Sequence, residues 1–144
     1  MKPTVIFLFM LLILTSCEVG PQPIHYGSDY CTYCKMTIVD EQHASQLVTS
    51  KGKAYNFDSV ECMMHFLKEN PEKEISLYLV NNFQQPKKFL NARQATFLKS
   101  EKITSPMGEN LLAIGNYENA KKAQTQFGGQ LLSWEELEQY FKIK

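Results

Sequence analysis

Asp29-Tyr30-Cys31-Thr32-Tyr33-Cys34-Lys35-Met36 is the stretch of this chain whose residue types and spacing point to chemistry. Two cysteines three positions apart aim their sulfurs at one centre when a tight turn separates them. Met36 adds a thioether beside the same turn. A second soft group, Cys62-Met63-Met64, follows Phe57-Asp58, and Met107 lies in a Pro-Met-Gly loop where a methionine gains little from core burial. Thiolate combined with thioether is the donor set that selects Cu(I). Zinc favours thiolate, imidazole or carboxylate and has little use for methionine. A second Cys-x-x-Cys pair, the usual completion of a structural zinc site, is absent. His43 and His65 keep nitrogen ligation, and so zinc, open.

Each of these residues also has a plainer reading. A Cys-x-x-Cys in an exported chain equally suits a disulfide or thiol exchange. A thioredoxin-like pair, however, sits at a strand-to-helix junction in a βαβ setting, whereas Cys31 and Cys34 precede a strand near the start of the domain. Methionines on a helix serve the core more often than a metal, which is the alternative for Met63 and Met64. His43 and His65 read as structural or exposed, Asp58 as a helix cap, and Tyr30 and Tyr33 as packing residues. No paired-carboxylate or nucleophile signature supports a hydrolase. The pattern fits a carrier, not an enzyme.

Residues 1–16 indicate where such a carrier works. Lys2 gives a basic start, Val5 to Leu14 is an apolar run, and Leu14-Thr15-Ser16-Cys17 ends it with small residues before a cysteine. This is the layout of a secretory signal, and the run is too short to span a bilayer, which takes roughly 20 apolar residues. Cysteine directly after Leu-x-Ser resembles a bacterial lipobox, in which the thiol is acylated and becomes the new N-terminus. Acyl chains on Cys17 would hold the protein at a membrane without a spanning helix, in the cell envelope, outside the cytoplasm and on the periplasmic side. Loss of residues 1–16 removes Lys2 and no acid, moving the formal charge from zero to about −1. That balance offers no basic stripe for nucleic acid. Cys31, Cys34 and Cys62 then remain, an odd number that makes no disulfide framework.

The elements that must position these thiols follow from pattern. Residues 17–29, with Gly20, Pro21, Pro23 and Gly27, read as the lipidated cysteine and a flexible tether, although Ile24 and Tyr26 can dock locally. The rest, 30–144, reads as one metal-binding domain. Ser45 to Ser50 and Ala54 to Phe57 form a hairpin about Lys51-Gly52-Lys53. Asp58 or Ser59 caps a helix that ends at Asn70-Pro71, and Ile75 to Val80 is the next strand. The outline then repeats. Ala95 to Leu98 and Leu111 to Ile114 are strands, and Asn116 caps a helix from Tyr117 to Phe127 that Gly128-Gly129 stops. Gln130 to Leu132 is a last strand, and Ser133 opens a final helix with Glu136 at capping-box spacing. Phe57-Asp58-Ser59 parallels Gly115-Asn116-Tyr117 in pattern. The expected class is α+β, one small domain of two similar strand-strand-helix-strand halves.

Asp29-x-Cys31-x-Tyr33-Cys34-x-Met36-x-Ile38, then Phe57-Asp58-x-x-x-Cys62-Met63, then Met107-Gly108, all behind a lipobox, resembles the NosL family, the accessory lipoproteins of nitrous-oxide reductase. The resemblance implies Cu(I) binding and delivery of copper to apo nitrous-oxide reductase, in partnership with a membrane complex that helps load the enzyme. It also implies paired strand-strand-helix-strand halves. Carried over position by position, Cys31, Cys34 and Met36 match the first motif, Cys62 and Met63 the helix-start motif, and Met107 the later methionine. Lys35 and Glu61 stand where glycine is common in that family, and neither change removes a soft donor. The alternatives are a thiol-disulfide oxidoreductase using Cys31 and Cys34, and a lipoprotein with structural zinc.

Overall fold

A computed structural model describes residues 19–143 of the chain. The expected signal sequence and Cys17 lie outside the described residues. Among those described, no helix is long and apolar enough to cross a membrane.

Two antiparallel sheets and three helices make the α+β domain. The first sheet contains β1 (Ser45–Thr49), β2 (Ala54–Phe57), β3 (Ile75–Asn82) and β4 (Gln85–Asn91), in the order β2-β1-β3-β4. The second contains β5 (Thr96–Lys99), β6 (Leu111–Ile114) and β7 (Gln130–Leu132), in the order β6-β5-β7. Helix α1 (Val60–Glu69) joins β2 to β3, and α2 (Tyr117–Phe127) joins β6 to β7; α3 (Trp134–Phe141) ends the fold. Each half therefore lays down a central strand, folds a second against one edge, crosses by a helix and returns a third along the other edge. The expected repeat is present.

Its register differs by one residue from the sequence parallel. β2 ends at Phe57 and Ser59 caps α1, while β6 ends at Ile114 and Asn116 caps α2. Asp58-Ser59 thus corresponds to Gly115-Asn116. Both caps work alike: Ser59 Oγ accepts from Cys62 N and Asn116 Oδ1 from Asn119 N, satisfying amides that a helix start leaves orphaned. Ser133 and Glu136 close the expected capping box on α3.

β4 has no counterpart among the expected strands. Pro86, Lys87 and Lys88 break any apolar alternation, and the strand is largely exposed at the sheet edge, so burial imposes no period on it. Segment 22–29 also differs from a free tether. Gln22 N donates to Gln46 Oε1 at 2.8 Å, Gln46 Nε2 returns a bond to Gln22 O at 2.9 Å, and Gly27 N donates to Ile38 O at 2.8 Å. Ile24 and Tyr26 pack on the core, and Asn81 donates to the Tyr26 hydroxyl.

The larger core gathers side chains from both sheets, α1 and α3. It contains Phe57, Met63, Met64, Phe97 and Trp134, with Cys31 and Cys62 at its border with the thiol site. Each fully buried large apolar side chain contributes about 1.5–3 kcal/mol. A smaller cluster of Leu98, Leu112, Ile114 and Ala120 packs α2 on the second sheet. Phe83 N donates to Ala113 O at 2.9 Å and ties the two sheets together.

The Gly128-Gly129 stop is demanding. Gly129 has φ +91°, and a Cβ there would lie 2.1 Å from Lys99 O and 2.9 Å from Ser100 Cα. Gly129→Ala is therefore expected to destabilise the fold by about 2–3 kcal/mol, read as a lower urea midpoint. Gly108→Ala, with φ +82° but open space around it, should cost less in the same measurement.

Candidate metal centre

The Cys31–Cys34 segment is a tight turn closed by its own backbone. Cys31 N donates to Met36 O at 2.8 Å, Lys35 N donates to Cys31 O at 3.0 Å, and Tyr30 and Thr37 form an antiparallel bridge. Lys35 takes the left-handed conformation this turn requires, with φ 68°. A side chain pays about 1 kcal/mol for that conformation, which is why glycine would suit the position, and the turn forms nonetheless. Lys35 Nζ also donates to Thr32 O at 2.6 Å. The turn docks on the outer edge of β2 through Thr32 N to Asn56 O at 2.7 Å.

This docking brings the turn to the β2–α1 junction, where Asp58 and Cys62 lie. One ligating atom each from Cys31, Cys34, Asp58 and Cys62 falls within 4.8 Å of all the others. Asp58 corrects the sequence reading. The cap is Ser59, so the Asp58 carboxylate is released from capping and turns into the thiols: Cys34 Sγ donates to Asp58 Oδ2 at 3.2 Å. Two candidate caps in succession, where one suffices, was the available signal that one of them had another task. Asp58 Oδ1 is buried and has no hydrogen-bond partner among the described residues. A positive ion among these groups would satisfy it.

Cys31 and Cys62 are fully buried and Asp58 nearly so, while Cys34 is half-buried and marks the open side. All three thiols are free. They are not equivalent in charge. The Cys62 thiol donates to the Cys31 sulfur, and the backbone N–H groups of Asp58, Cys34 and Tyr33 add to it, bringing Cys31 down to about 6 against burial. Burial, together with a proton shared with Asp58, pushes Cys34 up to about 11. Cys62 is raised more strongly, first by its bond to Cys31 and then by burial. At neutral pH the cluster holds its thiolate at Cys31, with the other two sulfurs as thiols.

The remaining expected ligands are placed as follows. Met36 is 47% exposed and Met107 38% exposed. Met63 is fully buried in the larger core. His43 is buried with Nδ1 2.9 Å from Asp40 Oδ2, and His65 stacks on Tyr33 with ring centroids 5.4 Å apart. Neither histidine belongs to the thiol cluster as placed.

Comparison with curated protein sequences gives no significant match. Among solved structures, the crystal structure of the copper chaperone NosL from Shewanella denitrificans superposes with a TM-score of 0.71 at 26% sequence identity, covering 83% of this chain and 96% of that one. The NosL family profile matches residues 23–141. That match runs from the docked segment ahead of the cysteine turn to the last residue of α3, so it is the whole fold, beyond the thiol motif, that makes this chain a member of the NosL family.

Proposed function

We propose that this protein is a Cu(I) chaperone of the cell envelope, lipid-anchored through Cys17, that supplies copper for the maturation of nitrous-oxide reductase and works with the membrane complex that loads it. The observation that carries the reading is the gathering of Cys31, Cys34 and Cys62 about one point, with Cys34 alone half-open. Soft sulfur donors suit Cu(I). The half-open Cys34 gives a side from which ligands exchange stepwise, and Met36, Met63 or Met107 would complete the coordination. The client, the anchor and the membrane partner rest on the family resemblance and on residues 14–17.

The thiol-oxidoreductase alternative is disfavoured by burial. A reactive thiolate needs access, and the low-pKa sulfur here, Cys31, is fully enclosed. Asp58 gives structural zinc its one favourable observation, since a carboxylate oxygen beside three sulfurs is a zinc-like donor set.

The discriminating experiment titrates the reduced chain with Cu(I) against a competing chelator, in parallel with zinc. Tight binding of a single Cu(I) that displaces zinc supports the carrier. Zinc that co-purifies stoichiometrically, resists Cu(I) and unfolds the protein on chelation would establish the structural site instead.

A further inference from the structure

Glu61 is the second residue of α1, next to Cys62, and its side chain is fully buried. A buried carboxyl group is costly unless its oxygens find partners. Glu61 Oε1 accepts a hydrogen bond from the Ser105 hydroxyl, and Oε2 is buried without a partner among the described residues. Ser105 does more than meet this group. Its Oγ accepts from Asn110 N at 2.9 Å, and its carbonyl accepts from Gly108 N at 3.1 Å. One serine therefore closes the 105–110 loop on itself and fastens it to the helix turn that carries Cys62. The far side of the loop is held separately, by Lys99 Nζ and the Tyr140 hydroxyl donating to Glu109 Oε2 at 2.9 and 2.7 Å. Met107 lies between these two fastenings, with its side chain exposed.

Exposed methionine on a free loop would lose its position to conformational entropy. A loop pinned to the residue preceding Cys62 is instead held at the helix turn that carries one of the thiols. We propose that Glu61 and Ser105 are positioning residues: their hydrogen bond holds the Met107 loop against the first turn of α1, so that the Met107 thioether reaches a Cu(I) ion held by the cysteines. The inference rests on the Cu(I)-carrier reading and extends it to two residues that touch no metal themselves.

The test follows the methionine methyl signals of the full reduced chain, labelled with 13C, as Cu(I) is added. In the wild type, and in Glu61→Gln, which keeps an acceptor oxygen for Ser105, the Met107 methyl should shift with the first equivalent. In Ser105→Ala that shift should be lost and Cu(I) affinity should fall roughly tenfold, the scale of one weak interaction. A double-mutant cycle separates positioning from general stabilisation. Once Met107→Leu has removed the thioether, adding Ser105→Ala should weaken binding no further. A Met107 signal indifferent to Cu(I) in the wild type, an unchanged shift in Ser105→Ala, or fully additive losses in the cycle would overturn the proposal while leaving the carrier intact. A wild type that binds no Cu(I) at all would remove the carrier reading, and the proposal with it.

Discussion

Cys31→Ser should lose far more Cu(I) affinity than any other single change in this chain, well beyond the roughly 10–100-fold that outer-shell partners of a metal control. Cys31 is the sulfur about which the rest of the cluster is organised. It receives the Cys62 thiol and the N–H groups of Asp58, Cys34 and Tyr33, and these stabilise its anion. Serine keeps the shape but remains a protonated alcohol at neutral pH, so the ion loses the sulfur that is already ionised and must displace a proton from Cys34 or Cys62 to gain its first thiolate. Cys34→Ser should cost less, because Cys34 rests as a thiol and has Asp58 as its acceptor. Asp58→Asn should fall within the outer-shell range if the carboxylate serves the thiol and not the ion. Chelator competition on the three variants gives the ranking. Unchanged affinity in Cys31→Ser would place the copper elsewhere, and a loss in Asp58→Asn as large as that in Cys31→Ser would favour the zinc-like coordination.

The same asymmetry sets a pH response. Cu(I) must displace whatever protons its sulfur ligands carry. Cys31, at about 6, carries none at neutral pH and gains one as the pH falls through that value. Cys34, at about 11, and Cys62, raised above its ordinary value, keep theirs throughout the neutral range. Affinity should therefore fall with acidity everywhere, and the slope of log affinity against pH should steepen by one unit below about pH 6. With Cys34 as the second ligand, two units of slope one and a further unit of slope two between pH 8 and 5 amount to a loss of about ten-thousandfold. Proton release on binding, followed with an indicator dye, should rise by one across the same region. A slope that stays constant through pH 6 would remove Cys31 as the resting thiolate.

Local signals were legible in the sequence wherever an element carries its own boundary chemistry. Asn116 and the Ser133–Glu136 box mark helix starts because a side-chain oxygen has to meet specific amides. The Cys31–Cys34 turn declared its chemistry through spacing. What depends on contact between distant segments was not legible. The approach of Cys62 to Cys31 is made by Thr32 bonding to Asn56 on the outer edge of β2, and no pattern within either segment announces it. Asp58 was assigned to the cap because local economy favours it, while tertiary packing gave that task to Ser59. β4 carries no period because its edge position buries too little of it. In the second half Gly115 and Asn119 occupy the places of Asp58 and Cys62, which shows how the duplicated frame carries chemistry in one half and only support in the other.

The docking of the cysteine turn on β2 has a consequence for self-association. β2 is an outer strand of its sheet, and an uncovered outer strand offers backbone groups on which another chain can add. At the opposite edge Pro86, Lys87 and Lys88 discourage such addition. On β2 no proline or charged residue stands guard between Ala54 and Phe57, and the turn carrying Cys31 and Cys34 does the covering. The thiol turn is thus also the guard of a sticky edge. Damage that pulls it away, such as oxidation of its sulfurs, would cost the cell a copper site and expose a strand ready to recruit a second copy into a growing sheet.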